Sequence, residues 1–220
     1  MDKVTRVESI AVPLPQEAID TDMILPAQFL LRVDRAGLGQ FVFHEARQAA
    51  LKHGQRFVLD APDYAGAQII VGGARFGIGS SREQAVWALH DAGVRAIIAP
   101  GFGEIFYANC YNNGIAAVPL SGAAHQAALE AAKRCDSIIV DVEAPVVKIP
   151  GQSDAHFEIA EHHRQALLQG LDQTDLILTQ DAEAITAFEA THAHAQPWLN
   201  LSADQFADFE NVGHVSVVEK

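Results

Sequence analysis

Cysteine is scarce in this chain: Cys110 and Cys135 are the only two in 220 residues. They are too few and too far apart to build a structural zinc site or a cysteine-ligated iron–sulfur cluster within the chain, so any cluster must come from elsewhere. Long apolar runs are missing as well. No stretch approaches transmembrane length, and Met1-Asp2-Lys3-Val4-Thr5-Arg6 leads into no extended apolar segment. Neither a membrane span nor a secretory signal is expected, and the cytoplasm is the expected compartment. Positive charge is in short supply too: 15 Lys and Arg stand against 28 Asp and Glu, a formal net charge of −13. Such a body repels the phosphate backbone of nucleic acids and anionic membranes, and neither is an expected partner. Finally, no Gly-Lys-Ser or Gly-Lys-Thr triplet follows any glycine, which excludes a P-loop.

What is present is enough apolar material for one main domain with a short appendage, at 49% hydrophobic residues. Strand-like apolar runs recur at 7–12, 57–59, 67–71, 96–99, 115–120 and 137–142. Helical stretches are expected at 83–91, 104–111, 123–133, 162–169 and 182–190, several of them closed by a glycine: Gly93, Gly114 and Gly170. The strand–helix–strand alternation from 67 to 120 predicts an α/β fold with a parallel core. Residues 137–142 and 146–149, separated by Glu143-Ala144-Pro145, read as a hairpin that 157–159 could continue, which adds an antiparallel layer. From residue 191 the pattern breaks at His192-Ala193-His194-Ala195-Gln196-Pro197-Trp198, and 191–220 reads as a peripheral C-terminal extension.

One stretch stands out chemically, Gly73-Ala74-Arg75-Phe76-Gly77-Ile78-Gly79-Ser80-Ser81-Arg82-Glu83-Gln84. It joins an apolar strand to a helix start, where backbone N–H groups lack partners and attract anions. Arg82 adds a permanent charge whose planar fork suits a carboxylate, and the glycines let a ligand approach the backbone. The serines have a simpler reading: Ser80-x-x-Glu83 and Ser81-x-x-Gln84 are overlapping capping boxes, and on local sequence alone capping outweighs catalysis. Capping does not account for three glycines within seven residues (Gly73, Gly77, Gly79) followed closely by Arg82. A dinucleotide fingerprint is disfavoured because its third glycine would be Arg82.

Other candidate groups are weaker. Asp20-Thr21-Asp22 reads first as a turn before an apolar segment, with either carboxylate able to orient an active-site group. Phe106 to Gly114 reads as an apolar helix with a C-cap, its asparagines within possible reach of a site. Ten histidines invite metal hypotheses. His162 and His163 would point about 100° apart on a helix, and His192-x-His194 would chelate only in a strand, with no third ligand at a suggestive spacing. No metal ligand is assigned.

Taken together, Ile19-Asp20-Thr21-Asp22, Phe76-Gly77-Ile78-Gly79-Ser80-Ser81-Arg82-Glu83, Ile97-Ile98-Ala99-Pro100 and Ile105-Phe106-Tyr107-Ala108-Asn109 closely resemble the 3-isopropylmalate dehydratase small-subunit family, the swivel domain of the aconitase superfamily. The likeness runs from about residue 4 to residue 190, and the order and spacing of the motifs make it more specific than any one of them.

The resemblance implies a swivelling β/β/α domain with mixed parallel and antiparallel sheet layers over 1–190, with 191–220 as the extension. It also implies a separate large subunit holding a [4Fe–4S] cluster, none bound by this chain, and a 2-hydroxy diacid substrate. The implied reaction isomerises 2-isopropylmalate to 3-isopropylmalate by dehydration and rehydration, in leucine biosynthesis. By the same resemblance Ser80 is the base and Asp22 its catalytic acidic partner. Arg82 clamps the substrate carboxylate, with Ser81 and Gly79 beside the bound acid.

The chain departs from many relatives at Arg75, Ile78, Gln84 and Val86. Arg75 and Gln84 are polar changes bordering the site and leave open a related hydro-lyase of the methylmalate or citraconate type. A non-catalytic assembly subunit is the remaining alternative.

Overall fold

A computed structural model describes residues 1–31 and 34–199, with the side chain at 173 left out. Contacts divide the chain into two compact units, the first Met1–Gln173 and the second beginning at Thr174. The first unit is organised around one seven-stranded sheet of order β4-β3-β2-β1-β5-β6-β7.

Strand β1 (Arg6–Leu14) is the hinge of that sheet. Its C-terminal half pairs parallel with β2 (Ile69–Gly72), in the register Ala11↔Ile69 to Leu14↔Gly72. β3 (Ala96–Ala99) and β4 (Ala116–Pro119) continue the parallel half. The N-terminal half of β1 pairs antiparallel with β5 (Ser137–Asp141), from Arg6↔Asp141 to Ile10↔Ser137. β6 (Val146–Lys148) and β7 (Ala155–His156) extend that side. The expected parallel and antiparallel layers are therefore two halves of a single mixed sheet.

β2 and β3 are buried at every position, as expected of parallel strands covered on both faces. Between the strands lie α1 (Thr21–Ile24), α2 (His44–Lys52), α3 (Glu83–Asp91), α4 (Glu104–Asn112) and α5 (Gly122–Lys133), and α6 (Glu161–Gln169) follows the last strand. α5 lies across β1, β2 and β5, while α4 packs between α3 and α6. The helix ends at Gly114 and Gly170 carry positive φ, the left-handed cap expected of those glycines.

Several sequence expectations need correction. Residues 57–59 form no strand; i→i+3 bonds from Asp60 N to Phe57 O and from Ala61 N to Val58 O close a 3-10 turn at Val58–Asp60. The meander does not continue through 157–159. β7 stops at His156 because the next partner on the opposing strand is Pro145, which has no N–H to give, and Phe157 makes one bond to the Pro145 carbonyl. Helix α2 buries no residue and so carries no buried apolar stripe that marks it in the sequence.

In the second unit, α7 (Gln173–Gln180) is an unforeseen helix, and α8 (Ala182–Ala195) runs past the expected break at 191, with a 3-10 turn at Pro197–Leu199. The rest of the expected extension, 200–220, lies outside the described residues. Among the described residues no helix is long and apolar enough to cross a membrane.

Ile97, fully buried in the middle of β3, tests the parallel half. Ile97→Ala should lower unfolding free energy by about 3 kcal/mol, since a buried large-to-small change loses transfer energy and leaves a cavity. Urea denaturation checks this, with the midpoint falling at an unchanged slope.

Candidate active site

The Gly73–Arg82 stretch leaves the C-terminal end of β2 and is threaded between the segments that follow β1 and β3. Gly73 N donates to Leu14 O (3.0 Å), Ala18 N to Ala74 O (2.8 Å), Gly77 N to Ile19 O (2.7 Å) and Thr21 N to Ile78 O (2.9 Å). On the other side Phe76 N donates to Gly101 O (2.9 Å) and Gly103 N to Phe76 O (2.8 Å). The stretch is thus held as a short continuation of the parallel sheet, with bridges Asp20↔Ile78 and Phe76↔Phe102.

Phe76 is fully buried and packs on Phe102 and Phe106, with ring centroids 6.4 and 5.7 Å away, giving the turn an apolar floor. Gly77 has no substitute there: its φ is +72°, and an added Cβ would lie 2.2 Å from the Phe106 ring.

The Asp20-Thr21-Asp22 motif supports the turn, each residue doing something different. Asp20 caps α1, its Oδ1 accepting from Met23 N at 2.7 Å. Thr21, 1% exposed, donates its hydroxyl to Ser80 O at 3.0 Å. Asp22 Oδ1 pairs with Arg82 Nη1. The sequence singled out the two carboxylates and passed over the threonine between them; a hydroxyl flanked by charges was the signal, but its partner lies 59 residues away.

Neither serine caps α3. The N-cap is Arg82, with no side-chain capping bond, and Arg82 N turns back to Ser80 O at 2.8 Å. That tight turn pushes the start of the helix past both serines, so neither capping box forms. Ser80, Ser81 and Gly79 are exposed, and among the described residues neither serine hydroxyl has a hydrogen-bond partner. The amides of Glu83 and Gln84 likewise find no acceptor among the described residues.

The structure therefore brings Asp22, Gly79, Ser80, Ser81 and Arg82 to one open edge. Two free hydroxyls, free first-turn N–H groups and a guanidinium with donors to spare make a receptor for a carboxylate. Arg75, exposed on the same turn, is held at φ +59°, a region side chains rarely adopt, by the bonds on either side of it at Ala74 and Phe76. Val86 is fully buried, and Ile78 and Gln84 are half-buried.

The donor set of this chain does not fit an iron–sulfur cluster. Cys110 is fully buried in α4, where burial pushes its thiol pKa well up, and Cys135 is a separate residue beyond the end of α5. Among the described residues no three His, Cys, Asp or Glu side chains gather in a metal-binding group. His192 and His194 stand on α8 rather than a strand, where a two-residue spacing turns them about 200° apart. His163 lies flat on Tyr111, ring centroids 4.4 Å apart at 6°.

The chain matches the family model described as aconitase C-terminal domain over residues 1–123, and that of the C-terminal domain of the 3-isopropylmalate dehydratase small subunit over 178–202. A 3-isopropylmalate dehydratase small subunit from Paramagnetospirillum magneticum is 41% identical over 202 residues, 90% of this chain and 100% of the relative. One from Parvibaculum lavamentivorans is 42% identical over 204 residues, again 90% of this chain and 100% of the relative. Among solved structures, a 3-isopropylmalate dehydratase from Methanocaldococcus jannaschii superposes with a TM-score of 0.62 at 24% identity, covering 84% of this chain and 99% of that one, a likeness of fold.

Thr21→Val keeps the shape of the side chain and removes only its bond to Ser80 O. It should cost about 1 kcal/mol of stability. Hydrogen exchange of the Arg82 N–H, which bonds Ser80 O, should accelerate selectively, and unchanged protection there would refute the anchor.

Proposed function

The chain belongs to the 3-isopropylmalate dehydratase small-subunit family, and from that premise we propose that it is the smaller half of a two-subunit hydro-lyase. The enzyme isomerises 2-isopropylmalate to 3-isopropylmalate by losing and regaining water, a step of leucine biosynthesis that we place in the cytoplasm. The observation that carries the reading is the pairing of Arg82 with Asp22 beside two free serine hydroxyls on a rigidly laced turn.

In this reading Ser80, as an alkoxide, removes the proton on the carbon next to a substrate carboxylate and hydroxide leaves the neighbouring carbon, proton and hydroxide together making the water lost; both then add back with their positions exchanged. A serine hydroxyl is a very weak acid, so its alkoxide has to be stabilised in place. The free first-turn amides of α3 and the Arg82 guanidinium supply positive potential there without reorganising. Arg82 clamps a carboxylate through the donors that Asp22 leaves unused, and Asp22 fixes the direction of that fork. Ser81 adds a hydroxyl beside the bound acid, and Gly79 admits it without a Cβ in the way.

The site is open, and a cavity of about 680 Å³ between Tyr107, Pro119, Pro145, Phe157 and Arg164 includes none of its residues. A small diacid held at an open edge is poorly sheltered from water, so in this reading the opposite wall belongs to the large subunit. The [4Fe–4S] cluster also belongs to that subunit in this reading, and no iron chemistry is assigned to the residues of this chain.

The second substrate reading, a methylmalate- or citraconate-type diacid, rests on Arg75 and Gln84, the polar departures from many relatives that border the turn. Anaerobic co-purification with the large subunit, followed by assays of 2-isopropylmalate against 2-methylmalate and citraconate, separates the two. Absence of turnover of any diacid by an intact complex would overturn the enzyme reading and leave an assembly role.

Ser80→Ala should lower turnover by at least about 10³-fold, the scale of a lost acid–base group, while the two subunits still co-purify. Arg82→Lys should raise KM about tenfold and lower kcat, because a point charge cannot replace a two-pronged clamp. Steady-state kinetics on the assembled complex reads both, and unchanged constants for the lysine variant would refute the clamp.

A further inference from the structure

A chain of contacts that the proposed mechanism leaves unused reaches the first residue of α3 from the end of α4. Asn113, the C-cap of α4, is 7% exposed and uses both ends of its amide. Its Nδ2 donates to Glu83 Oε1 at 2.8 Å and to Asn109 O at 2.8 Å, while its Oδ1 accepts from Arg35 Nη1 at 3.4 Å. Arg35 is itself placed over the Trp87 ring, 4.4 Å from the centroid, one helical turn beyond Glu83. Two acceptors on one side and a cation on the other admit a side-chain amide in one orientation only.

The mechanical consequence follows from the missing cap. α3 begins without a side-chain capping bond, so the tight turn at Ser80 sets where the helix starts but no side chain of that turn holds its first residues in place. The bond from Asn113 ties Glu83, the residue after Arg82, to a different helix. Arg82 then sits between two anchors: Asp22 holds its guanidinium from α1, and Asn113 holds the adjoining residue from α4. We infer that Asn113 is a positioning residue for Arg82, setting the reach of the carboxylate clamp by fixing the start of α3. This rests on the proposed role of Arg82.

Asn113→Asp is nearly isosteric but turns a carboxylate oxygen toward Glu83 and the Asn109 carbonyl, replacing attraction with repulsion. In the complex with the large subunit it should raise KM for the diacid about tenfold with a smaller loss of kcat, because the displaced guanidinium both clamps the substrate and supports the Ser80 alkoxide. Glu83→Gln retains an acceptor oxygen and should raise KM by less than about threefold; combined with N113D it offers a donor to the new carboxylate and should recover most of the loss. Amide hydrogen exchange at Arg82 and Ala85, whose N–H groups bond Ser80 O and Arg82 O, should rise in N113D and fall again in the N113D/E83Q pair of the same complexes.

An N113D complex with wild-type KM, or a loss that E83Q fails to rescue, overturns the inference. If the wild-type complex turns over no diacid, the clamp reading has failed. The exchange data then decide the tether alone, and unaltered exchange in N113D overturns it.

Discussion

Gly77 gives its amide to the carbonyl of Ile19 and lies with its Cα against the ring of Phe106, and the geometry of the site follows from that contact. A side chain at this position would push the turn off its apolar floor. With glycine there, the stretch from Gly73 to Ile78 runs between its two neighbours almost as another length of strand, and Ser80 and Arg82 emerge from a backbone with little freedom left. Rigidity of this kind is what a site needs when its useful groups are exposed, because no surrounding protein corrects a misplaced hydroxyl.

The electrostatics are local. The chain carries a net charge of −13, yet the turn places Arg82 next to the free amides that open α3 and carries the exposed Arg75 as well. An anion is repelled by the net charge of the chain and attracted by the positive groups at this edge. Asp22 tempers that edge without cancelling it: it occupies Nη1 of Arg82, and the guanidinium keeps other N–H groups for a ligand. The free hydroxyls of Ser80 and Ser81 belong to the same design. A serine committed to capping α3 would have spent its lone pairs on the helix, whereas the turn from Arg82 N to Ser80 O starts the helix one step later and leaves both hydroxyls open.

Support for this edge comes from three directions. From α1, Thr21 fixes the carbonyl of Ser80 and Asp22 fixes the guanidinium; from the loop after β3, Gly101 and Gly103 fix Phe76; from the end of α4, Asn113 fixes Glu83. These elements are neighbours because β1, β2 and β3 are adjacent and parallel, so that their C-terminal ends deliver their loops to the same edge. Sheet order, rather than any one motif, assembles the site.

The amino-acid sequence by itself determined the parallel run of short apolar strands, the helices that alternate with them, the left-handed caps at Gly114 and Gly170, and the presence of a glycine-rich turn that ends in Arg82 at a helix start. Those features are local: burial on both faces gives continuous apolar runs, and glycine marks backbone that other residues strain to adopt. Tertiary structure alone decided that β1 joins a parallel half to an antiparallel half, that 57–59 is a turn, that α8 continues past residue 191, and that neither serine caps α3. It also decided the roles of Thr21 and Asn113, residues that look ordinary in sequence. The physical reason is the same in each case: a hydrogen bond between groups far apart in the chain depends on which strands lie side by side, and no window of local sequence carries that information.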